Sequence, residues 1–158
     1  MIKYIKGDLI KAFIDGEVDC IAHQANCYNV MGSGFAKQLK RDIPEAFKSD
    51  SEYSKEKGKD RLGHCSFFEK EKNKFVFNIY GQLDYRYWHE DYGTQLSYLT
   101  VGLVRMANEL DDRGLANIGY KIGFPLIGCG LAGGNWKEVE KNIKTIFEDS
   151  YDVNIYRK

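Results

Sequence analysis

The sequence predicts an α/β fold with a mixed sheet flanked by helices. Short apolar, strand-like runs alternate with longer segments of helical periodicity. Two neighbouring strand-like runs flank a brief charged turn, which reads as a hairpin and brings an antiparallel pair into the sheet. Two glycine-rich turns each follow a strand-like run and lead into helix-like sequence.

Taken in order, Ile2 to Lys6 reads as the first strand. Val18 to His23 reads as the second, mostly apolar and therefore buried. The first glycine turn, Asn26 to Gly34, opens a helix that stops near Pro44, because a residue before proline is biased out of the helical region. Glu45 to Lys57 is polar and reads as a surface helix. His64 to Glu69 and Lys74 to Tyr80 form the hairpin around Lys70 to Asn73. Gly81 to Gly93 is loop-like and aromatic, with Tyr85, Tyr87, Trp88 and Tyr92. Thr94 is placed to cap a helix whose apolar face is Leu96, Leu99, Leu103, Met106 and Leu110, and Arg113-Gly114 ends it. Ile118 to Phe124 is the next strand. After the second glycine turn, Trp136, Val139, Ile143, Ile146 and Phe147 mark the last helix, and Val153 to Tyr156 a final strand.

The 158 residues fit a single domain, 1–158, able to bury a real core. Lys plus Arg and Asp plus Glu are 23 each, so bulk attraction to nucleic acid or anionic membrane is not expected. No apolar run approaches the roughly 20 residues of a membrane span, and the first residues are too soon broken by Gly7-Asp8 to read as a signal peptide. Cys20, Cys27, Cys65 and Cys129 lack metal-ligand spacing, so a reducing cytoplasm is expected and a zinc site is not. A monomer is expected, with no metal and no cofactor.

The glycine turns carry the chemistry. Glycine lets backbone N–H groups crowd towards a ligand, and a helix N-terminus adds partial positive charge, so each turn is a potential anion cradle. Two cradles in one small chain suit two linked phosphates. Gly128 to Gly133 reads literally as GxGxxG. A dinucleotide-binding reading fails on context: the unit is the last in the chain, and the strand after it ends in Tyr156-Arg157-Lys158 with no acidic residue to hold a ribose. Neither turn has the Gly-Lys-Ser/Thr ending of a P-loop.

Four stretches in order carry a family resemblance: Gly7-Asp8-Leu9; the second strand running into Ala25-Asn26; Met31-Gly32-Ser33-Gly34-Phe35-Ala36; and Pro125-Leu126-Ile127-Gly128-Cys129-Gly130. Together they resemble the macro domain, an ADP-ribose-binding module, across nearly the whole chain. His23-Gln24-Ala25-Asn26-Cys27, the Met-Gly-x-Gly loop and Ile-Gly-Cys-Gly-Leu with a Trp five residues on resemble the compact branch. That branch holds the yeast-type ADP-ribose-1″-phosphate phosphatase and the terminal ADP-ribose protein glycohydrolase. The resemblance implies a three-layer α/β/α sandwich with a mixed central sheet and a cleft at the strand ends.

It also implies roles. Asp8 would accept from the adenine amino group, supported by the backbone at Leu9; the alternative is a turn-forming aspartate. Asn26 would reach the distal ribose, or simply form a turn. The amides of Gly32, Ser33, Gly34 and Phe35, with Pro125, Ile127, Gly128, Cys129, Gly130, Leu131 and Ala132, would hold the diphosphate and distal ribose. Tyr156 would stack on the adenine or pack at the sheet edge. His23, inside a strand-like run, reads as a hydrogen-bonded core histidine. Cys129 reads as a small loop filler, although amides could lower its pKa.

The departures bear on mechanism. The glycohydrolase branch uses a lysine after the strand matching Phe75–Tyr80 and an aspartate after Gly-Cys-Gly-Leu; here the stretches read Tyr80-Gly81-Gln82 and Ala132. Antitoxins that remove ADP-ribose from DNA thymidine share the Met-Gly-x-Gly loop and also rely on a lysine in that region. Covalent lysine chemistry is therefore not expected. Asn26, Ser33, Gln82 and Asn29 remain, a neutral polar set suited to phosphate removal from ADP-ribose-1″-phosphate, with Asn26 and Gln82 placing the attacking water. ADP-ribosyl hydrolysis on modified protein or DNA, or ADP-ribose binding without turnover, are the alternatives.

Overall fold

The computed structural model describes residues 2–32, 34–84, 92–129 and 134–158, with the side chains of residues 92–94 excepted. Six strands, β1 (Ile2–Lys6), β2 (Cys20–Asn26), β3 (Cys65–Glu71), β4 (Lys74–Gln82), β5 (Lys121–Phe124) and β6 (Asp152–Arg157), form one sheet in the order β1-β6-β5-β2-β4-β3. Every pairing is parallel except β3 with β4, the expected hairpin. Five helices join them: α1 (Leu9–Ile14), α2 (Gly34–Asp42), α3 (Pro44–Ser51), α4 (Tyr92–Asp112) and α5 (Trp136–Phe147).

Side-chain alternation along the strands builds the two cores. Cys20, Ala22, Phe75, Phe77, Ile79, Val153 and Ile155 point to α4 and α5. Their neighbours Ile21, Val76 and Tyr156 point to the other face, against Leu9, Phe13, Leu39 and Ile43 of α1, α2 and the α2–α3 junction. Both faces are buried, so the central strands read as near-continuous apolar runs. The three layers match the expected α/β/α sandwich.

Several boundaries differ from the expected ones, each for a physical reason. The second strand begins at Cys20, because Asp19 instead accepts from the Lys74 ammonium (3.0 Å) and the Lys121 amide (2.8 Å), and it runs on to Asn26. The helix after Pro44 ends at Ser51, well short of Lys57. There the carbonyls of Asp50, Tyr53 and Lys55 turn onto the buried Arg61 guanidinium instead of continuing the helix. Its Ala46 and Asp50 are buried, so it is not purely a surface helix.

The long helix α4 starts at Tyr92, which puts Thr94 inside its first turn rather than at its cap. Its other end matches the expectation. Gly114 takes a φ of +76°, its amide reaches Asp111, and the Leu115 amide reaches Leu110, a Schellman closure. Ile118 is 65% exposed and outside β5, because Asn117 (φ +62°) and Gly119 (φ +77°) break the extended run. The short α1 was not anticipated. Among the described residues no helix is long and apolar enough to cross a membrane.

Candidate functional site

In a sheet of parallel strands the helices cover both faces, so open space gathers beyond the carboxyl ends of the strands. The large cavity lies there, about 990 Å³, and it draws residues from the ends of all five parallel strands. β1 gives Gly7, Asp8 and Leu9; β2 gives His23 to Asn26; β4 gives Gln82; β5 gives Pro125 to Cys129; β6 gives Tyr156 and Arg157. Gly32, Gly34 and Phe35 close it from the start of α2. Of the described residues expected at the site, all but Asn29 line this one cavity; Asn29 donates to Ser51 Oγ instead. Ser33, Gly130, Leu131 and Ala132 lie outside the described residues, as does most of the aromatic stretch after Gln82.

At one end, Asp8 is the N-cap of α1 and accepts from the Lys11 amide at 3.1 Å. That bond is the turn-forming role, and Asp8 also lines the cavity. Leu9 and Tyr156 are buried beside it.

At the other end, the first glycine loop is shaped by Asn26. Its Oδ1 accepts from the amides of Tyr28 (3.0 Å) and Val30 (3.4 Å), and its Nδ2 donates to the Val30 carbonyl at 2.7 Å. One amide hydrogen remains. Asn29 takes a φ of +60° and donates to Ser51 Oγ (2.9 Å), which anchors the loop on α3. The loop then delivers the first-turn amides of α2 to the cavity, where a helix N-terminus favours an anion.

The second loop is a pair of tight turns. The Ile127 amide bonds to the Pro125 carbonyl at 2.7 Å and the Cys129 amide to the Leu126 carbonyl at 3.0 Å. Gly128 has a φ of +76°, the conformation that the third position of a type II turn requires. These bonds occupy the Ile127 and Cys129 amides internally and leave the Gly128 amide with no partner among the described residues. Burial pushes the Cys129 thiol up to about 11, so it is a protonated filler rather than a thiolate.

His23 is hydrogen-bonded and buried, as expected of a core histidine, yet it also forms cavity wall. Its Nε2 lies 2.7 Å from Asn78 Oδ1. Asn78 Nδ2 points to Ser66 Oγ, Ser49 Oγ and the Ala46 carbonyl, all acceptors, so Asn78 Oδ1 must accept and Nε2 carries the proton. Burial, partly offset by the Asn78 bond, lowers the His23 pKa to about 4 and keeps the ring neutral. Behind it the network continues through Ser66 and the Tyr80 hydroxyl to Asp50 and Arg61, which pair at 3.1 Å while almost fully buried.

Sequence reasoning passed over Gln24. It sits between Gly81 and Gly128, and a Cβ at Gly81 would come within 2.4 Å of its Oε1. Gln24 and Gln82 have no side-chain hydrogen bond among the described residues, so both amides are available to a ligand or water. The signal was present, since alternation along β2 places Gln24 on the opposite face from His23 at the strand end. Asp84, two residues beyond Gln82, is a further buried carboxylate, and it is already engaged. Among the described residues no cluster of His, Cys, Asp and Glu could hold a metal ion.

Comparison with known proteins places this geometry. A family model described as Macro domain matches residues 22–143. An uncharacterized 17.5 kDa protein of Enterobacteria phage T4 is 32% identical, covering 92% of this chain and 89% of that one. The DNA ADP-ribosyl glycohydrolase of Mycobacterium tuberculosis is 26% identical over 98% of this chain, which spans only 41% of that protein. The ADP-ribose 1″-phosphate phosphatase of Saccharomyces cerevisiae is 24% identical, covering 99% of this chain and 98% of the enzyme. Among solved structures, the macrodomain of Mycobacterium tuberculosis DarG superposes with a TM-score of 0.74 at 24% identity, covering 100% of this chain and 98% of that one. Thermosipho africanus DarTG in complex with ADP-ribose gives 0.73 at 18% identity, over 98% of this chain and 41% of that one. The family match covers most of the sequence and the fold agrees with it: the chain belongs to the macro-domain family.

Proposed function

We propose that this chain binds ADP-ribose in the strand-end cleft and hydrolyses the phosphate of ADP-ribose-1″-phosphate. The observation that carries the reading is the neutrality of the cleft's inner end. Gln24, Gln82, Asn26, Gly34 and Gly128 line it, and His23 and Cys129 are both uncharged. Such donors stabilise charge on a transferring phosphoryl group without a counter-ion. Water held by Gln82 and Gln24 attacks phosphorus, the bond from phosphorus to the 1″ oxygen breaks, and the water's proton passes to the departing oxygen. Asn26 serves chiefly by holding the loop that aims the α2 amides.

The presence of a phosphatase of this specificity among the relatives supports the reading. A reading as a DNA or protein ADP-ribosyl hydrolase has a named relative too, but Tyr80-Gly81-Gln82 offers no lysine where that chemistry is expected. Binding without turnover is the second reading, favoured by the internal hydrogen bonds that occupy most of Asn26.

Calorimetry with ADP-ribose and phosphate release from ADP-ribose-1″-phosphate test the proposal. Saturable binding and release above a heat-killed control are expected. Gln82→Ala should lower release about a hundredfold, the scale of losing a positioned reactant, with ADP-ribose affinity kept. Binding without release leaves the non-catalytic reading, and release of ADP-ribose from modified DNA instead would overturn the phosphatase.

A further inference from the structure

A second depression, about 350 Å³, adjoins the cleft and is lined by Tyr4, Ile5, Lys6, Arg157 and Lys158. Arg157 and Lys158 belong to both hollows, next to Tyr156 and Gly7. Strand pairing builds this corner: Lys6 of β1 lies opposite Arg157 of β6, and the Gly7 amide bonds to the Arg157 carbonyl at 2.7 Å.

The corner is basic in a chain whose formal net charge is zero. Two of its three side chains are held by neutral groups. The Arg157 guanidinium lies 5.1 Å from the centroid of the Tyr4 ring, and Lys158 Nζ donates to Gln38 Oε1 at 2.8 Å. The Tyr4 ring is in turn fixed by hydrogen bonds of its hydroxyl with Trp136 Nε1 and Glu140. Among the described residues no carboxylate side chain forms an ion pair with Lys6, Arg157 or Lys158. Asp42, which feels the Lys158 charge, is gripped by Arg41 at 2.8 Å. Two ammonium groups and a guanidinium, none paired with a carboxylate side chain among the described residues, suit a phosphate rather than an apolar group.

We propose that Lys6, Arg157 and Lys158 form a subsite for a phosphate carried on the adenosine side of the ligand, beyond the diphosphate. The inference rests on the ADP-ribose reading above, which puts adenosine beside Asp8 and Tyr156. The same chemistry is offered by a monoester on the adenosine ribose and by the next diphosphate of an ADP-ribose chain.

Calorimetry on the wild-type chain would compare ADP-ribose, ADP-ribose 2′-phosphate and a linear ADP-ribose dimer. At least one of the latter two should bind about tenfold tighter than ADP-ribose, and which one does so identifies the source. The gain should shrink as salt rises. In Lys6→Ala it should fall towards unity with ADP-ribose affinity unchanged. Lys158→Ala, judged on the ratio of the two dissociation constants within that variant, should act likewise. If ADP-ribose binds but neither larger ligand gains, or the gain survives in both variants, the subsite is wrong and the ADP-ribose reading stands. If ADP-ribose gives no heat, that reading falls and takes the subsite with it.

Discussion

His23 shows how one residue can belong to both core and cleft. Its proton sits on Nε2 because Asn78 must accept, and its Nδ1 is buried without a hydrogen-bond partner. Charging the ring would place a cation next to groups arranged for a neutral one. The sign of the pH effect follows. The pKa falls from 6.5 to about 4 on folding, so this contribution to stability is complete above pH 6.5 and is lost as pH drops towards 4. Fully titrated, it amounts to about 3 kcal/mol. Urea unfolding at pH 7 and pH 4.5 measures it. The wild type should lose about 2 kcal/mol more than His23→Gln between those two values. Parallel losses in the two proteins would show that the ring titrates normally in the fold.

At the scale of elements, the end of β4 and helix α4 pack closely because one side chain is absent. A Cβ at Gly81 would lie 2.4 Å from Gln24 Oε1, 2.8 Å from Leu99 Cβ and 3.0 Å from Leu99 Cα. The first contact can be relieved by moving Gln24 out into the cleft, while the others require α4 to shift. Gly81→Ala should therefore destabilise by about 1–3 kcal/mol, the usual range for overpacking, and weaken ADP-ribose binding at the same time. Thermal melting and calorimetry on one preparation check this; a stable variant with unchanged affinity would show that the helix yields freely. Gly81 also marks how far elements were legible. Strands were readable as short apolar runs, since both faces of the sheet are covered, and long helices because their burial follows a period of about 3.6. Boundaries moved where a side chain made a tertiary hydrogen bond to backbone, as Arg61 does with the carbonyls at the end of α3 and Asp19 does with the Lys121 amide before β2. The loops of the site were found from their glycines and asparagine. Gln24 was missed although alternation along β2 places it at the strand end, because it stands outside both glycine turns. The short α1 could have been found, since Asp8 caps a run in which Leu9, Ile10, Ala12 and Phe13 are all buried.

For the whole molecule, the decisive fact is that the cleft is made of five strand ends and no single element contains it. Loops after β1, β2, β4, β5 and β6 contribute, and these strands stretch from one edge of the sheet to its fourth and fifth positions. A ligand lying along them joins segments that the fold otherwise connects only through the sheet. Binding to the native state alone adds about 2.7 kcal/mol of stability at a hundred times the dissociation constant. For a chain of this length that corresponds to a rise in Tm on the order of 5–10 °C. Hydrogen exchange should show where the stabilisation enters. With ADP-ribose bound, the Asn26 to Phe35 and Pro125 to Cys129 backbones should gain protection together, while the β3–β4 turn at Asn73, at the far end of the strands, should not change. Protection confined to one loop would mean that the ligand occupies half of the cleft and that the two glycine turns do not act as one cradle.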